Sequence, residues 1–218
     1  MPDSSNDCHP VARSAALRAG DNVIGAFVRG HEIALWRGAN GTAQAWDNRC
    51  PHRSVRFSLG QVIGDRLSCA YHGWQYAIGL GDCVGIPSHP DRMPPKTVRA
   101  TPHAVAEAVD MVWVCLSGEM PQPHLVELPP DWTFCRSLAV RASYGAVVQA
   151  LSEGCWKQDA MAWNGKLGDV GCRALLLDAK PGMAVLHLWV DARAGSRQMR
   201  HAHAAARRFR GDVESAPE

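Results

Sequence analysis

The stretch that decides the fold is Cys50-Pro51-His52, followed after sixteen residues by Cys69-Ala70-Tyr71-His72. Each segment holds one Cys and one His. This mixture of thiolates and imidazoles is typical of two centres: a tetrahedral zinc site, or a dinuclear iron–sulfur cluster with two Cys on one iron and two His on the other. Zinc sites usually pair Cys with Cys and His with His, so two mixed segments favour the dinuclear cluster.

The residues around these ligands resemble the Rieske domain of bacterial ring-hydroxylating and O- or N-demethylating oxygenases. The resemblance is carried by the segments Asn48-Arg49-Cys50-Pro51-His52-Arg53, Ser68-Cys69-Ala70-Tyr71-His72-Gly73-Trp74, Gly60-Gln61-Val62, Ile86-Pro87-Ser88 and Met111-Val112-Trp113-Val114. It implies a Rieske domain over residues 15–118, with a [2Fe-2S] cluster held by Cys50, His52, Cys69 and His72. A chance set of buried Cys and His in a β domain would have to reproduce all these segments.

The resemblance also implies how the cluster works. Neutral imidazoles in place of two thiolates make a cluster less negative and raise its reduction potential, so it serves as a one-electron relay. His52 and His72 ligate the outer iron, where their far ring nitrogens can donate to a carboxylate of the next redox partner. Rieske proteins of respiratory complexes carry an additional disulfide where this chain has Val55 and Tyr71, which favours the oxygenase or ferredoxin type.

Oxygenases of this family have a second domain of helix-grip type, whose mononuclear iron is held by two His and one carboxylate. The family motif Asp-x-x-His-x-x-x-x-His matches the end of a predicted helix over Ser143–Gly154. It places Glu153 at the acid that bridges to a Rieske histidine. Trp156 and Met161 then fall at the two His positions, and neither an indole N–H nor a thioether replaces an imidazole on Fe(II). We therefore predict no mononuclear non-heme iron.

The rest of the chain resembles the end of a helix-grip domain. Residues 173–177 and 183–190 are mainly apolar and are separated by Pro181-Gly182, which predicts a β-hairpin, and residues 196–209 have helical periodicity with a stop at Gly211. The 98 residues from Pro121 to Glu218 are fewer than the catalytic domain of the family needs. We predict an α+β chain: an antiparallel β Rieske [2Fe-2S] domain over 15–118, then a truncated helix-grip (α/β) domain over 131–213.

Composition excludes some partners. The chain has 218 residues, and its 23 Lys and Arg against 21 Asp and Glu leave a net charge of +2, too little to predict nucleic-acid binding. No apolar run is long enough to cross a bilayer, and the N-terminal residues lack a secretion pattern, so we predict a cytoplasmic protein away from membranes. In a reducing compartment disulfides are rare, so the cysteines outside the motif are predicted to be mostly buried thiols: Cys8, Cys83, Cys115, Cys135, Cys155 and Cys172.

Three functions remain open from sequence. The first is electron transfer from a flavin or ferredoxin-type reductase to an oxygenase centre on another chain, in a hetero-oligomer with a full-length Rieske oxygenase subunit. The second is an active mono- or dioxygenase of a small aromatic or methoxylated compound, which the missing iron ligands oppose. The third is a degenerate regulatory or assembly subunit. The sequence favours the first and does not predict a self-contained oxygenase.

Overall fold

The computed structural model describes residues 8–117, 131–193 and 195–216. The chain divides into two compact units, Met1–Pro123 and His124–Glu218. The N-terminal unit contains these strands: β1 Cys8–Arg13, β2 Val23–Val28, β3 His31–Arg37, β4 Ala43–Asp47, β5 Gln61–Ile63, β6 Arg66–Ser68, β7 Gln75–Ala77, β8 Cys83–Gly85, β9 Pro102–Ala108 and β10 Met111–Cys115. The C-terminal unit contains these elements: β11 Trp132–Val140, α1 Tyr144–Glu153, β12 Lys157–Asp159, β13 Ala162–Leu167, β14 Val170–Lys180, β15 Met183–Asp191 and α2 Ser196–Ser215.

The N-terminal unit is built from two antiparallel sheets, one of six strands in the order β1-β10-β9-β4-β3-β2 and one of four in the order β5-β6-β7-β8. A row of buried aromatic rings runs from the larger sheet to the smaller. Trp36 packs edge-on against Trp46 with ring centroids 4.9 Å apart, Trp46 contacts Phe57, and Phe57 contacts Tyr76 at 5.1 Å. This core packs directly behind Cys50, one of the predicted ligands.

The first strand corrects one prediction about the cysteines. Cys8 in β1 and Cys115 in β10 are direct cross-strand partners, and a disulfide joins them. They are 107 residues apart in sequence, so only the pairing of β1 with β10 brings them together. The prediction of free thiols was therefore wrong for this pair. Cys155 is exposed rather than buried.

The C-terminal unit is one antiparallel sheet in the order β11-β15-β14-β13-β12 with both helices packed on one face. Helix α1 begins after Ser143, whose hydroxyl oxygen accepts the N–H of Ala146 at 3.2 Å. Ser143 is therefore an N-cap, as its side-chain chemistry predicts. Helix α2 buries a stripe of small side chains, Ala202, Ala205 and Ala206, against the sheet. The predicted α1 and the hairpin of β14 and β15 are confirmed.

Helix α2 does not stop at Gly211 as predicted but continues to Ser215. Beyond the glycine, Val213 is buried in the core and Glu214 accepts the backbone N–H of Arg141 at 2.8 Å. These contacts outweigh the cost of about 1 kcal/mol for a glycine within a helix. The α+β class is confirmed. Neither helix in the described part of the chain combines the length and apolar character needed to span a bilayer.

The strand β1 begins before residue 15, where the first predicted domain starts, and β11 begins at Trp132, next to the start of the second. The boundaries 15–118 and 131–213 remain predictions. The first strand could not be anticipated, because residues 8–13 gain their order from pairing with β10, a strand about a hundred residues later.

Candidate metal centre

Two short loops carry the predicted ligands, and the first joins β4 to the segment before β5. In this loop the N–H of Cys50 donates to the carbonyl of Val55 at 2.9 Å, and the N–H of Ser54 donates back to the carbonyl of Cys50 at 2.7 Å. Ser54 has a φ of 55°, in the left-handed region that closes such a tight loop. His52 lies at the tip, two residues after the cysteine.

The second loop, between β6 and β7, repeats this construction. The N–H of Cys69 donates to the carbonyl of Trp74 at 2.9 Å, and the N–H of Gly73 donates to the carbonyl of Cys69 at 3.0 Å. Gly73 has a φ of 70° and occupies the place that Ser54 holds in the first loop. His72 lies three residues after its cysteine instead of two. The two cysteines therefore occupy equivalent positions in their loops, whereas the two histidines differ by one residue in their spacing from the cysteine.

The two thiols lie on the buried side of the loops. Cys50 is 2% exposed and Cys69 is 4% exposed, and both belong to the aromatic core. The Sγ of Cys50 lies 3.1 Å from the hydroxyl oxygen of Tyr76. Burial raises the pKa of the Cys69 thiol, the backbone N–H groups of Tyr71 and His72 oppose this, and the neighbouring Cys50 raises the pKa further. Such thiols ionise on binding a metal.

The two imidazoles lie on the exposed side. The ring centroids of His52 and His72 are 4.8 Å apart, and His72 is exposed while His52 is half-buried. The indole of Trp74 stacks on the His52 ring at 4.0 Å with an interplanar angle of 8°. Partial desolvation lowers the pKa of His52, and the nearby His72 and Arg53 lower it further. A neutral imidazole is the form that ligates a metal.

The donor set fits a [2Fe-2S] cluster. Two adjacent buried thiols and two adjacent imidazoles on the solvent side supply one pair of like ligands for each of two irons. Among the described residues, no group of three or more His, Cys, Asp or Glu side chains is arranged to hold a single metal ion. The assignment of Cys50, His52, Cys69 and His72 as ligands stays a prediction.

The positions that match the family motif for a mononuclear iron lie in the C-terminal unit. Glu153 is the last residue of α1; it is exposed, and its Oε1 accepts the side-chain N–H of Gln149 at 2.9 Å. Trp156 is 6% exposed and belongs to the core between the helices and the sheet. Met161 lies in the turn between β12 and β13. The role of Glu153 as a bridging carboxylate remains a prediction.

The indole of Trp156 lies directly against Gly165 of β13. A Cβ added to Gly165 would lie 2.3 Å from Cδ2 and 2.4 Å from Cγ of the buried indole. We expect Gly165→Ala to lower the free energy of unfolding of this unit by about 3 kcal/mol, because the ring cannot move within a packed core. Urea unfolding followed by tryptophan fluorescence measures the change.

The matched control for this substitution is Gly171→Ala. Gly171 lies in β14, where it pairs with Lys166 of β13, and a Cβ added there meets no atom within 4 Å. Both changes replace a strand glycine by alanine, so they share any effect of backbone entropy. If the two variants unfold at the same urea concentration, Trp156 does not pack against Gly165 as described.

Comparison with known proteins agrees with this geometry. Residues 7–105 match the family model of the Rieske [2Fe-2S] domain. The oxidoreductase NdmD of Pseudomonas putida is 38% identical over 118 residues, which make up 54% of this chain and 20% of that protein. The 3-chlorobenzoate-3,4-dioxygenase oxygenase subunit of Comamonas testosteroni is 32% identical over 128 residues, 56% of this chain and 29% of that protein. The chain thus spans less than a third of these curated relatives.

Solved structures extend the similarity of fold to both units. Dicamba monooxygenase bound to dicamba aligns over 99% of this chain and 88% of that chain with a TM-score of 0.77 and 14% identity. NdmA of Pseudomonas putida CBB5 aligns over 97% of this chain and 82% of that chain with a TM-score of 0.74 and 15% identity. The N-terminal unit holds a Rieske [2Fe-2S] domain, and the relatives that this chain resembles include Rieske non-heme iron oxygenases. The predicted cofactor, a Rieske-type [2Fe-2S] cluster, is confirmed.

The structure adds a residue that sequence reasoning missed, Tyr76. Its pKa is raised by burial and by the hydrogen bond to Cys50, so its hydroxyl stays protonated and can donate to a Cys50 thiolate. We expect Tyr76→Phe to lower the reduction potential by about 60 mV, because the lost hydrogen bond favours the more negative, reduced state. A hydrogen bond to a charged group contributes about 1.5 kcal/mol. A tenfold change in the redox equilibrium constant corresponds to about 59 mV for a one-electron couple. A redox titration followed by visible circular dichroism gives the potential.

Tyr71→Phe is the control for the Tyr76 variant. The Tyr71 ring lies against His72 at 3.8 Å, but its side chain is 62% exposed and lies outside the core that holds Cys50. This control also removes a tyrosine hydroxyl near the centre. We expect its reduction potential to stay within about 15 mV of that of the original protein, because an exposed hydroxyl is hydrogen-bonded by water. An unchanged potential in Tyr76→Phe would contradict the proposed donation to Cys50.

Proposed function

We propose that this protein is a one-electron carrier, which accepts an electron from a flavin or ferredoxin-type reductase and passes it to an oxygenase centre on another chain. The observation that carries the proposal is the pair of imidazoles, His52 and His72, on the solvent side of two buried thiols. A Rieske cluster, when bound, supplies reversible one-electron chemistry. Each residue around it then has a separate task.

The buried side of the site excludes water and fixes the ligands. Cys50 and Cys69 are oriented by backbone hydrogen bonds within their loops, which preorganises them as ligands. With Cys50 as a thiolate, the Tyr76 hydroxyl donates to it from the core. On the other side, His52 and His72 bring their ring edges to the surface, where a partner can approach them. Trp74 holds the His52 ring by stacking.

The proposal assigns the oxygenase centre to another chain because this chain offers a poor site for one. Trp156, at a position where the family has an iron-binding histidine, is part of the hydrophobic core. An indole N–H cannot act as a ligand. The Comamonas testosteroni relative is named as the oxygenase subunit of a dioxygenase, which supports a system of several chains. A full-length Rieske oxygenase subunit in a hetero-oligomer is the partner that we propose.

We further propose that the carrier works in the cytoplasm. A disulfide is uncommon there, since the glutathione and thioredoxin systems reduce accessible ones. The Cys115 side chain is fully buried and Cys8 is half-buried, which limits the access of such reductants to the bond between them. The compartment and the bond are therefore compatible.

The test of the carrier proposal is iron analysis and EPR of the dithionite-reduced protein, followed by ferrous iron and nitric oxide. We expect about two irons per chain and a Rieske spectrum, without an iron-nitrosyl signal. A complex with a full-length oxygenase subunit, and faster turnover of that subunit, would complete the support. A third, nitrosyl-reactive iron would overturn the proposal in favour of a self-contained oxygenase. An oxygenase system unaffected by Cys50→Ser in this chain would favour a regulatory or assembly subunit.

A further inference from the structure

A cavity of about 350 Å³ opens beside the two imidazoles, between His52, His72, His89 and Arg92. We call it the histidine cavity. Its polar lining consists of imidazole, guanidinium, indole and hydroxyl groups, and no carboxylate of the described residues lines it. Arg53, directly after His52, is exposed and adds a further positive charge nearby. The cavity therefore favours negatively charged groups.

The charge of Arg92 is available to a partner. Arg92 is exposed, and its guanidinium forms no ion pair with a carboxylate among the described residues. Asp91 lies in the same turn but does not line the histidine cavity. In contrast, other arginines of this unit are neutralised: Arg37 pairs with Glu107 at 2.7 Å, and Arg56 pairs with Glu32. Arg92 and the neighbouring exposed Arg53 thus supply positive charge beside the imidazoles.

The segment that carries His89 and Arg92 is fixed to the second ligand loop. The N–H of His89 donates to the carbonyl of Ile86 at 2.8 Å, and the N–H of Arg92 donates to the carbonyl of His89 at 3.0 Å. Pro87 packs so closely on Gly73 that a Cβ at Gly73 would lie 3.2 Å from the proline ring. The cavity is therefore preformed, which reduces the entropy lost on docking.

Large exposed side chains next to the cavity indicate a protein as the occupant rather than a small anion. Tyr71 is 62% exposed and contacts His72, and Met93, which follows Arg92 in the chain and lines a second cavity that shares Pro95, is 83% exposed. Tyrosine, methionine and arginine are enriched in protein interfaces. A small anion would need only the cavity and would leave these side chains in water.

We propose that the surface formed by the histidine cavity, Arg53, Tyr71 and Met93 docks an acidic electron-transfer protein, with carboxylates of that protein entering the cavity beside Arg92. The inference rests on the proposed function and specifies its partner. Docking there brings the redox centre of the partner close to the edges of His52 and His72. The positive rim also steers an acidic protein toward this face, so association weakens as ionic strength rises.

The probe is an acidic plant-type [2Fe–2S] ferredoxin, and its binding to the oxidised holoprotein is measured by thermophoresis at low and high ionic strength. We expect Arg92→Glu to weaken binding about tenfold or more, because it places like charges face to face. The matched control is Arg208→Glu in α2, an exposed residue that also lacks an ion pair among the described residues. It changes the net charge equally, and we expect an effect within about twofold.

Equal losses in Arg92→Glu and Arg208→Glu would overturn the proposal, because net charge alone would then explain binding. Binding of free citrate without binding of the ferredoxin would also overturn it and assign the cavity to a small anion. EPR of each variant separates this proposal from the carrier function. A protein that binds the ferredoxin but shows no Rieske signal contradicts the carrier function alone, whereas a normal signal with no effect of Arg92→Glu contradicts only the docking site.

Discussion

Replacing Cys50 by serine is expected to abolish the Rieske EPR signal and to release the bound iron. The Cys50 thiol is 2% exposed, next to Cys69 and within reach of the Tyr76 hydroxyl, so no water or other thiol can take its place as a ligand. Serine is nearly the same size, and the loop hydrogen bonds of residue 50 are made by its backbone. The domain should therefore keep its fold while losing the cluster. Iron analysis and EPR of the purified variant measure the loss.

The control for this variant lies only one strand away. Cys83 in β8 is the cross-strand partner of Tyr76 and is half-buried, but it lies in neither ligand loop. Cys83→Ser removes a thiol from the same sheet and should retain both the iron and the EPR signal. If Cys83→Ser loses the signal and Cys50→Ser keeps it, the ligand assignment is wrong.

The second large effect concerns the disulfide between the first and last strands of the N-terminal sheet. We expect Cys8→Ser to lower the free energy of unfolding of this unit by about 4 kcal/mol, because the bond closes a very long loop in the unfolded chain. The two cysteines are 107 residues apart. Urea unfolding followed by the visible absorbance of the cluster reports on this unit alone. Far-UV circular dichroism of the folded variant shows whether the sheet is retained.

A reductant provides the control for the disulfide. Tris(carboxyethyl)phosphine in the unfolding series should lower the stability of the original protein to that of Cys8→Ser and leave the variant unchanged. The variant Cys135→Ser, which removes a free thiol of the other unit, should behave like the original protein. A stability that responds to neither the reductant nor Cys8→Ser would mean that the bond does not form in the purified protein.

The local elements were predictable because their signals are local. Helix α1 follows from Ser143 as a cap and from apolar residues at helical spacing, and the hairpin of β14 and β15 follows from two apolar runs separated by Pro181-Gly182. The end of α2 was not predictable in this way. Gly211 favours a helix end locally, but the tertiary contacts of Val213 and Glu214 stabilise the helix beyond it. The disulfide was not predicted for a similar reason, because only the pairing of β1 with β10 brings Cys8 and Cys115 together.

The sequence by itself determined the kind of centre this protein holds. Ligand chemistry depends on residue type and spacing within two short loops, and both are visible in the order Cys50, His52, Cys69 and His72. Only the tertiary structure decided what surrounds that centre. Tyr76 reaches Cys50 from another strand, and His89 and Arg92 reach the imidazoles from another loop. Such contacts join residues far apart in the chain, and packing of the whole domain, not local spacing, brings them together.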